Sequence, residues 1–280
     1  MEDVAEEDSQ GSHADFLQMA QKAAEKVVLE AQQCMDEEGS EWVSKGIDQG
    51  VRLSSRTYPG VRLPMMRGLM EVSADSGLNL LDLASVMLSH SCRRFFDTQY
   101  SHSVLLDDCG DGVGLLCVFL KPTPVSGPTH AIAAYGTRRS RDESGTERLT
   151  VAATCLPSNL ASIYADRVKE LSNKREIVRM DFKVWTVDAI LRCDGTVRLG
   201  FGLLTDASAI KLPSFLLKQV LYSAPAVALS QIYVMAQGGL GPRRILALTG
   251  PEPEETEERL LNGRPLLVSK VIAKVLFESS

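Results

Sequence analysis

Residues 212–237 have the sequence LPSFLLKQVLYSAPAVALSQIYVMAQ, and this segment predicts a helix long enough to cover one face of a β-sheet. At 1.5 Å per residue the helix spans about 39 Å. Apolar side chains recur along one side at steps of three and four residues, and polar side chains occupy the opposite arc. Pro225 lies inside the segment, where it removes one backbone hydrogen bond. Two interpretations follow: a packed helix that tolerates its proline, or a lid that bends at Pro225 and moves.

The same region raises the question of a membrane span, because residues 219–242 contain no charged side chain. A spanning helix needs about 20 predominantly apolar residues. This stretch, however, contains three glutamines, two serines, Pro225 and the pair Gly238-Gly239. A bilayer core penalises such a polar content. We therefore predict a buried amphipathic helix.

Upstream of this helix, short β-type runs alternate with turns. An early helix is predicted between Phe16 and Met35, and a second helical run over residues 78–88 interrupts the strands. Strands that are flanked by helices in this way indicate an α+β fold with an antiparallel sheet. The long C-terminal helix is expected to cover one face of this sheet. The predicted strands are residues 51–56, 66–72, 103–106, 113–120, 130–137, 149–155, 179–192 and 196–204.

The chain divides into three parts by composition. Residues 1–14 are acidic and polar and are predicted to form a disordered tail. Residues 15–237 form one predicted domain. Residues 238–280 combine a linker with an acidic spacer and an amphipathic helix. Three roles remain open for this last part: docking on the domain, binding a protein partner through residues 252–280, or lying on a membrane.

Composition and motifs exclude several classes of protein. A net charge of −6 argues against a nucleic-acid surface. The six cysteines lack any C-x-x-C spacing and the four histidines are unclustered, which indicates reduced thiols and no metal site. The first residues are neither a secretory signal nor a transit peptide, so we expect a cytoplasmic protein.

Motifs that carry chemistry are also missing from the sequence. It has no G-x-S-x-G, H-E-x-x-H, P-loop or G-x-G-x-x-G motif, and we predict no catalytic residue and no cofactor. The two glycines of Leu199-Gly200-Phe201-Gly202 have strand neighbours on both sides, which favours close packing over a phosphate loop.

Four short patterns over about 195 residues resemble the StAR-related lipid-transfer (START) domain family. They are Trp42 with the strand 51–56 and Tyr58-Pro59-Gly60, then Arg93-Arg94-Phe95-Phe96-Asp97, then Leu120-Lys121-Pro122-Thr123-Pro124-Val125-Ser126, and Leu212-Pro213-Ser214-Phe215-Leu216. They resemble the family's opening strand, its R-x-x-W-D segment with Phe96 in place of Trp, its K-P-x-P-V-S loop, and the start of its C-terminal lid helix.

The resemblance implies the helix-grip fold, in which a curved antiparallel sheet wraps around the long C-terminal helix and encloses a hydrophobic tunnel for one lipid. It implies a protein that binds a single lipid and transfers it between membranes by transient surface contact, without catalysis. Burial of the apolar lipid surface would supply the binding free energy. Two alternatives stay open: a lipid sensor that acts through a protein partner, and an enzyme of the wider helix-grip superfold.

The resemblance also implies candidate site residues. Family members that carry phosphatidylcholine hold the lipid phosphate with an arginine and an aspartate four residues apart, and Arg93 and Asp97 match that spacing. This favours a phospholipid over a sterol. The alternative is a structural pair at a helix end.

We expect Phe215, Val220, Ala224 and Ala228 of the lid helix to face the lipid. The gate is expected to combine the kink at Pro225 with the loop residues Pro122, Pro124, Val125 and Pro128.

This chain departs from the family pattern after the proline loop. It has Thr129-His130-Ala131-Ile132 where the family has R-D-(F/Y)-V. Tyr135 stands at about the place of the cavity arginine of sterol-binding members, either as a head-group donor or as a core aromatic.

Asp188 shares an alternating strand face with Met180 and Phe182. It is a buried carboxylate in the tunnel if that face looks inward, and an exposed one if it looks outward.

Overall fold

The computed structural model describes residues 5–110, 112–122, 127–173, 177–206 and 214–238; the side chains of residues 5–12 and 214–220 are not part of this description. The helices are α1 (Ala5–Asp36), α2 (Leu80–Met87), α3 (His90–Phe96), α4 (Ser158–Ala161), α5 (Ala165–Leu171) and α6 (Ser214–Gln237). The strands are β1 (Val43–Asp48), β2 (Val51–Arg56), β3 (Met65–Val72), β4 (Tyr100–Gly110), β5 (Val113–Leu120), β6 (Thr129–Arg141), β7 (Glu147–Cys155), β8 (Val178–Arg179), β9 (Asp181–Leu191) and β10 (Val197–Asp206).

All ten described strands belong to one sheet, in the order β1-β2-β3-β10-β9-β7-β6-β5-β4, with β8 paired to β6. Every pairing is antiparallel except β6 with β8. The predicted α+β fold with an antiparallel sheet and a long C-terminal helix is therefore confirmed. None of the described helices, α6 included, is both long and apolar enough to cross a bilayer.

Helices cover both faces of the sheet. On one face, α6 packs with α2 and α3 against the strands, and these elements form a continuous apolar core. On the other face lies α1, whose buried side chains include Phe16, Val28 and Met35. We expected only the C-terminal helix to be long enough for such a role, but α1 contains 32 residues and covers the opposite face.

The helix α1 begins inside the segment that was predicted to be a tail. Residues 1–14 were predicted to be a disordered tail, yet the helix begins at Ala5. Residues 1–4 lie outside the described part of the chain.

Two glycines of β10 allow α1 to approach the sheet closely. A Cβ atom built on Gly200 would lie 2.8 Å from the Met35 sulfur, and one built on Gly202 would lie 2.7 Å from the Met35 methyl carbon. Real Cβ atoms do not approach other atoms so closely, so Met35 occupies space that only glycine leaves open. Close packing, the predicted role of this pair, is confirmed.

Candidate functional site

The short helix α3 positions Arg93 and Asp97. Its N-terminal cap is Ser89, whose hydroxyl accepts a hydrogen bond from the Cys92 amide, and its C-terminal cap is Asp97. Because side chains four residues apart lie on the same side of a helix, Arg93 Nε and Nη2 both donate to Asp97 Oδ2, each at 3.1 Å. The predicted spacing therefore brings these two residues into a direct ion pair.

Aromatic rings hold the Arg93 guanidinium in place. Its central carbon lies 3.7 Å from the centre of the Trp185 ring and 4.6 Å from that of Tyr100. Both are cation–π contacts, which gain strength when water is excluded, and Arg93 is only 5% exposed. Neither Tyr100 nor Trp185 was predicted as a site residue. Trp185 could have been suspected as the one tryptophan in the alternating run of β9.

Between the sheet and α6, described residues from α3, the loop after it, three strands and α6 line a cavity of about 40 Å³. The Arg93–Asp97 pair stands at its wall, and the remaining lining is mostly apolar. The lining residues are Arg93, Phe96, Asp97, Thr98, Gln99, Val118, Leu120, Met180, Phe182, Trp185, Phe201, Leu203, Thr205 and Ala224.

The volume of this cavity is far below that of a lipid. An apolar cavity of about 150 Å³ accommodates benzene, and drug-sized ligands occupy about 300–1,000 Å³. This cavity of about 40 Å³ can hold a few water molecules and no more. The described residues that line this cavity therefore enclose less space than the lipid-sized tunnel that the resemblance implies, and a lipid fits here only if α6 or the side chains around it move.

A buried polar atom remains without a partner in the cavity wall. The indole Nε1 of Trp185 has no hydrogen-bond acceptor among the described residues, although Trp185 is only 3% exposed. Buried donors of this kind normally find a partner, and leaving one unpaired costs about 1–3 kcal/mol. A ligand oxygen or an ordered water in the cavity would supply that acceptor.

A second polar cluster lies beside the Arg93 site. His90 Nδ1 lies 2.9 Å from the Ser103 hydroxyl, which lies 2.8 Å from the Tyr100 hydroxyl. Burial, aided by the positive charge of Arg93, lowers the pKa of His90 to about 4, so its imidazole is neutral at physiological pH. The cluster therefore anchors the base of α3 to β4 without adding a positive charge.

Tyr135 lies in the same core, on the face of β6 that looks towards α6. Its ring centre is 6.5 Å from that of His90, and it is 6% exposed. Burial raises the pKa of the Tyr135 phenol, so the group is a neutral hydroxyl. Tyr135 does not belong to the residues that line the cavity. Its head-group role stays a prediction.

The lid residues have different positions. Ala224 lines the cavity. Ala228 is not among the residues that line this cavity and is fully buried in the apolar core, so its contact with a lipid stays a prediction. The side chains of Phe215 and Val220 lie outside the described part of the chain.

Only the ends of the predicted gate are described. Pro122 and Pro128 are exposed, whereas Pro124 and Val125 lie outside the described residues. The loop starts at the cavity, because the Lys121 amide donates to the carbonyl of Gln99, a lining residue, at 2.7 Å. Pro225 is buried within the continuous helix α6. The kink and its gating role stay predictions.

Asp188 lies on the opposite side of the sheet from the cavity, which corrects its prediction as a lipid contact. Arg148 donates to both of its carboxylate oxygens, at 2.9 and 3.1 Å, and the Thr150 hydroxyl donates at 2.7 Å. Arg148 also donates to Asp36 of α1 at 2.6 Å. The carboxylate is 1% exposed, so it is buried as predicted, but it joins the sheet to α1.

An irregularity in β9 explains this outcome. Between Val184 and Phe182 the register with β10 shifts by one residue, because Leu204 pairs with Val184 and Thr205 pairs with Phe182. A bulge of one residue reverses which face the following side chains occupy. Phe182 therefore faces α6 while Asp188 faces α1, although uninterrupted alternation placed them together.

Comparison with known proteins supports the fold. Neither the scan against protein-family models nor the search of curated proteins gave a match. Among solved structures, human StAR-related lipid transfer protein 5 is similar over 80% of this chain and 98% of its own, with a TM-score of 0.62 and 15% identity.

Two further human structures agree. STARD10 has a TM-score of 0.52 and 12% identity, with 85% of this chain and 87% of its own covered. The lipid transfer and protein localization domain of StarD13 (DLC2) has a TM-score of 0.51 and 14% identity, with 74% and 93% covered. With its antiparallel sheet packed against the C-terminal helix α6, this chain has the START-domain, helix-grip fold.

Proposed function

We propose that this protein binds a single lipid between the sheet and α6 and transfers it between membranes. The observation that carries the proposal is the cavity at this position, whose wall is apolar apart from the Arg93–Asp97 pair and a few neutral polar groups. Such a lining suits a molecule with a large apolar part and one polar end. Two of the similar structures are described as lipid transfer proteins or domains, which agrees with this proposal.

Binding requires the interior to open, and the packing of α6 suits such a movement. The buried residues of α6 include Ala226 and Ala228, and small side chains interlock less than large ones. Each Å² of apolar lipid surface removed from water contributes roughly 25 cal/mol, so one lipid tail can offset the loss of contacts along α6. The Pro122–Pro128 loop, which starts at the cavity through Lys121 and Gln99, is the other proposed moving part.

We further propose that a phospholipid is preferred to a sterol. Asp97 engages Nε and Nη2 of Arg93, and no hydrogen bond of Nη1 to the described residues is found. The guanidinium can therefore still donate to a phosphate oxygen while Asp97 and the two aromatic rings hold it in place. A sterol hydroxyl would use much less of this capacity.

We propose that the protein acts without covalent chemistry and contacts membranes only transiently, as a peripheral protein of the cytoplasm. Its task would be to exchange a lipid, and burial together with a few polar contacts suffices for that. The alternative of a lipid sensor depends on residues 252–280, which lie outside the described part of the chain.

Native mass spectrometry of the protein purified from cells tests lipid binding directly. We expect one bound lipid per chain, and identification of the released molecule names its class. Transfer is then measured from labelled to unlabelled phosphatidylcholine vesicles, with and without the protein. The proposal would be refuted if the protein purified from cells carried no lipid and also took up none from vesicles. Full transfer by a chain that lacks residues 252–280 would separate transport from any sensor role of that segment.

A further inference from the structure

A second concave site lies on the opposite face of β6 from α6. It is a groove of about 450 Å³ between β6 and β8 on one side and the helices α4 and α5 on the other. Small-molecule sites typically have volumes of about 300–1,000 Å³, so this groove is large enough for a ligand. His130 and Ile132 line it, whereas the neighbouring Ala131 and Ala133 belong to the core on the α6 side. The sheet therefore separates the groove from the cavity described above.

The lining of the groove combines an apolar floor with a basic rim. Ile132 and Val168 are 2% and 7% exposed and belong to the apolar core beneath it. Lys169 of α5 and Arg179 of β8 stand at the rim. No aspartate or glutamate occurs among the described residues that line the groove, although the chain as a whole is acidic. The charged side chains that line the groove are therefore both cationic, which suits an anion.

Arg179 is held in position but not saturated. Its Nε donates to Asp181 at 2.8 Å, and its Nη2 donates to the carbonyl of Leu156. Arg179 Nη1 and the Lys169 ammonium form no hydrogen bond or ion pair with the described residues. An arginine fixed in this way can offer its remaining donors to a carboxylate or phosphate.

His130 adds an unsatisfied polar atom to the wall. Its Nδ1 is buried and has no hydrogen-bond partner among the described residues. Burial, together with the charge of Arg179, lowers the pKa of His130, so the ring is neutral and Nδ1 can accept a hydrogen bond. A bound ligand, or a water held by it, could provide the missing donor.

From these features we infer that the groove binds an anionic amphiphile: a carboxylate or phosphate monoester held by Lys169 and Arg179, with an apolar chain over Ile132 and Val168. The inference does not depend on lipid binding beneath α6. The anion could belong to a soluble molecule or to a lipid head group at a membrane surface, because both present the same chemistry.

Calorimetric titration of the full chain with octyl phosphate tests the inference. We expect saturable binding, with much weaker binding of octanol, which lacks the charge, and of inorganic phosphate, which lacks the apolar chain. Equal affinity for inorganic phosphate and octyl phosphate would overturn the proposed ligand class. Vesicles of phosphatidylcholine with and without phosphatidate form a second arm. If only the vesicles that contain phosphatidate compete with octyl phosphate for the groove, the ligand is a membrane head group. If neither kind of vesicle competes, the ligand is a soluble anion.

Two variants locate the binding. Lys169→Glu reverses the charge at the rim, and we expect it to weaken octyl phosphate binding by about tenfold or more. Ala165→Trp fills the groove from an exposed position on α5 and should remove binding without disturbing the core. Arg167→Glu is the matched control, because Arg167 lies on the same helix and is not a lining residue.

Because octyl phosphate could also enter the cavity beneath α6, the variant Ala224→Trp distinguishes the two sites. Binding that Ala224→Trp removes and Ala165→Trp preserves would overturn the inference. Unchanged binding in Lys169→Glu and Ala165→Trp would overturn it as well.

Discussion

Pro225 of α6 packs against Gly68 of β3 so closely that a Cβ atom on Gly68 would lie 2.7 Å from the Pro225 Cβ. The same atom would lie 2.9 Å from a methyl group of Val51. The missing side chain of Gly68 therefore allows the middle of α6 to rest directly on the sheet. Because the proposed lipid site lies along the same interface, this contact is part of what an incoming lipid must displace or work around.

Gly68→Ala should loosen this contact. The added methyl group has no space, so we expect a loss of about 1–3 kcal/mol in the free energy of unfolding, measured by urea denaturation. Gly39→Ala is the control, because a Cβ at Gly39 meets nothing within 4 Å. If the closed position of α6 limits lipid entry, Gly68→Ala should also accelerate lipid uptake. Equal stability of the two variants would show that α6 does not pack on Gly68 as described.

Ala224→Trp tests the cavity beneath α6. The indole would fill the space that Ala224 borders, so we expect lipid binding to weaken by about tenfold, as measured by vesicle-to-vesicle transfer. Gln231→Trp places the same ring on an exposed position of the same helix. Equal transfer by the two variants, with both chains folded, would exclude this cavity as part of the lipid site.

Arg93→Ala tests the polar end of the cavity. Removal of one partner from a buried pair costs about 3–5 kcal/mol, because Asp97 is left without its cation. The double variant Arg93→Ala with Asp97→Ala removes both charges and should recover part of that stability. In the double variant we expect phosphatidylcholine transfer to fall more than cholesterol transfer. Equal losses for both lipids would assign the pair to structural support of α3 alone.

Asp188→Asn should destabilise the fold and leave lipid binding unchanged. The carboxylate joins Arg148 and Thr150 beneath α1, so its replacement should cost about 3 kcal/mol in the free energy of unfolding. Asp48→Asn, at an exposed position of β1, changes the net charge equally and serves as the control. A specific loss of lipid binding in folded Asp188→Asn would contradict the position of Asp188 on the α1 side.

His90 should make stability depend on pH. Its pKa is lowered from 6.5 to about 4, because burial and Arg93 disfavour the charged ring. Between these values the unfolded chain binds the proton and the folded chain does not. The contribution of His90 to stability is therefore fully present above about pH 6.5 and falls as the pH decreases towards about 4. Each pKa unit of the shift corresponds to about 1.4 kcal/mol in the free energy of unfolding.

The variant His90→Asn keeps a polar group near Ser103 but cannot take up the proton. We expect a flatter dependence of the free energy of unfolding on pH between about 4 and 6.5 than in the natural chain. Histidines 102 and 130, whose pKa values burial also lowers, are present in both chains and cancel in the comparison. Parallel pH profiles of the two proteins would contradict the burial of a neutral His90.

Local patterns predicted much of the fold. The three- and four-residue period predicted α6, and the strand-type runs 179–192 and 196–204 predicted β9 and β10, between which Gly195 has a φ of +81°. Segments without a clear hydrophobic pattern were not predicted. The strand β1 has no buried residue to produce an alternating pattern, and α4 and α5 are too short for a clear helical period.

The candidate site was predictable only in part. The resemblance to the START family predicted that Arg93 and Asp97 act as a pair, and the helix α3 brings them together. The rings of Trp185 and Tyr100 reach Arg93 from β9 and β4, and no spacing along the chain encodes that meeting. The groove around Lys169 and Arg179 likewise exists only because α5 packs beside β8.

The amino-acid order alone determined the helices, the hairpins and the apolar character of the interior, because these follow from interactions between residues close in the chain. Only the tertiary structure decided which partner each side chain meets. Asp188 shows why: one bulged residue before it in β9 moves it from the α6 face to the α1 face. Side-chain alternation is a local property, but the register that sets its phase depends on pairing with a distant strand.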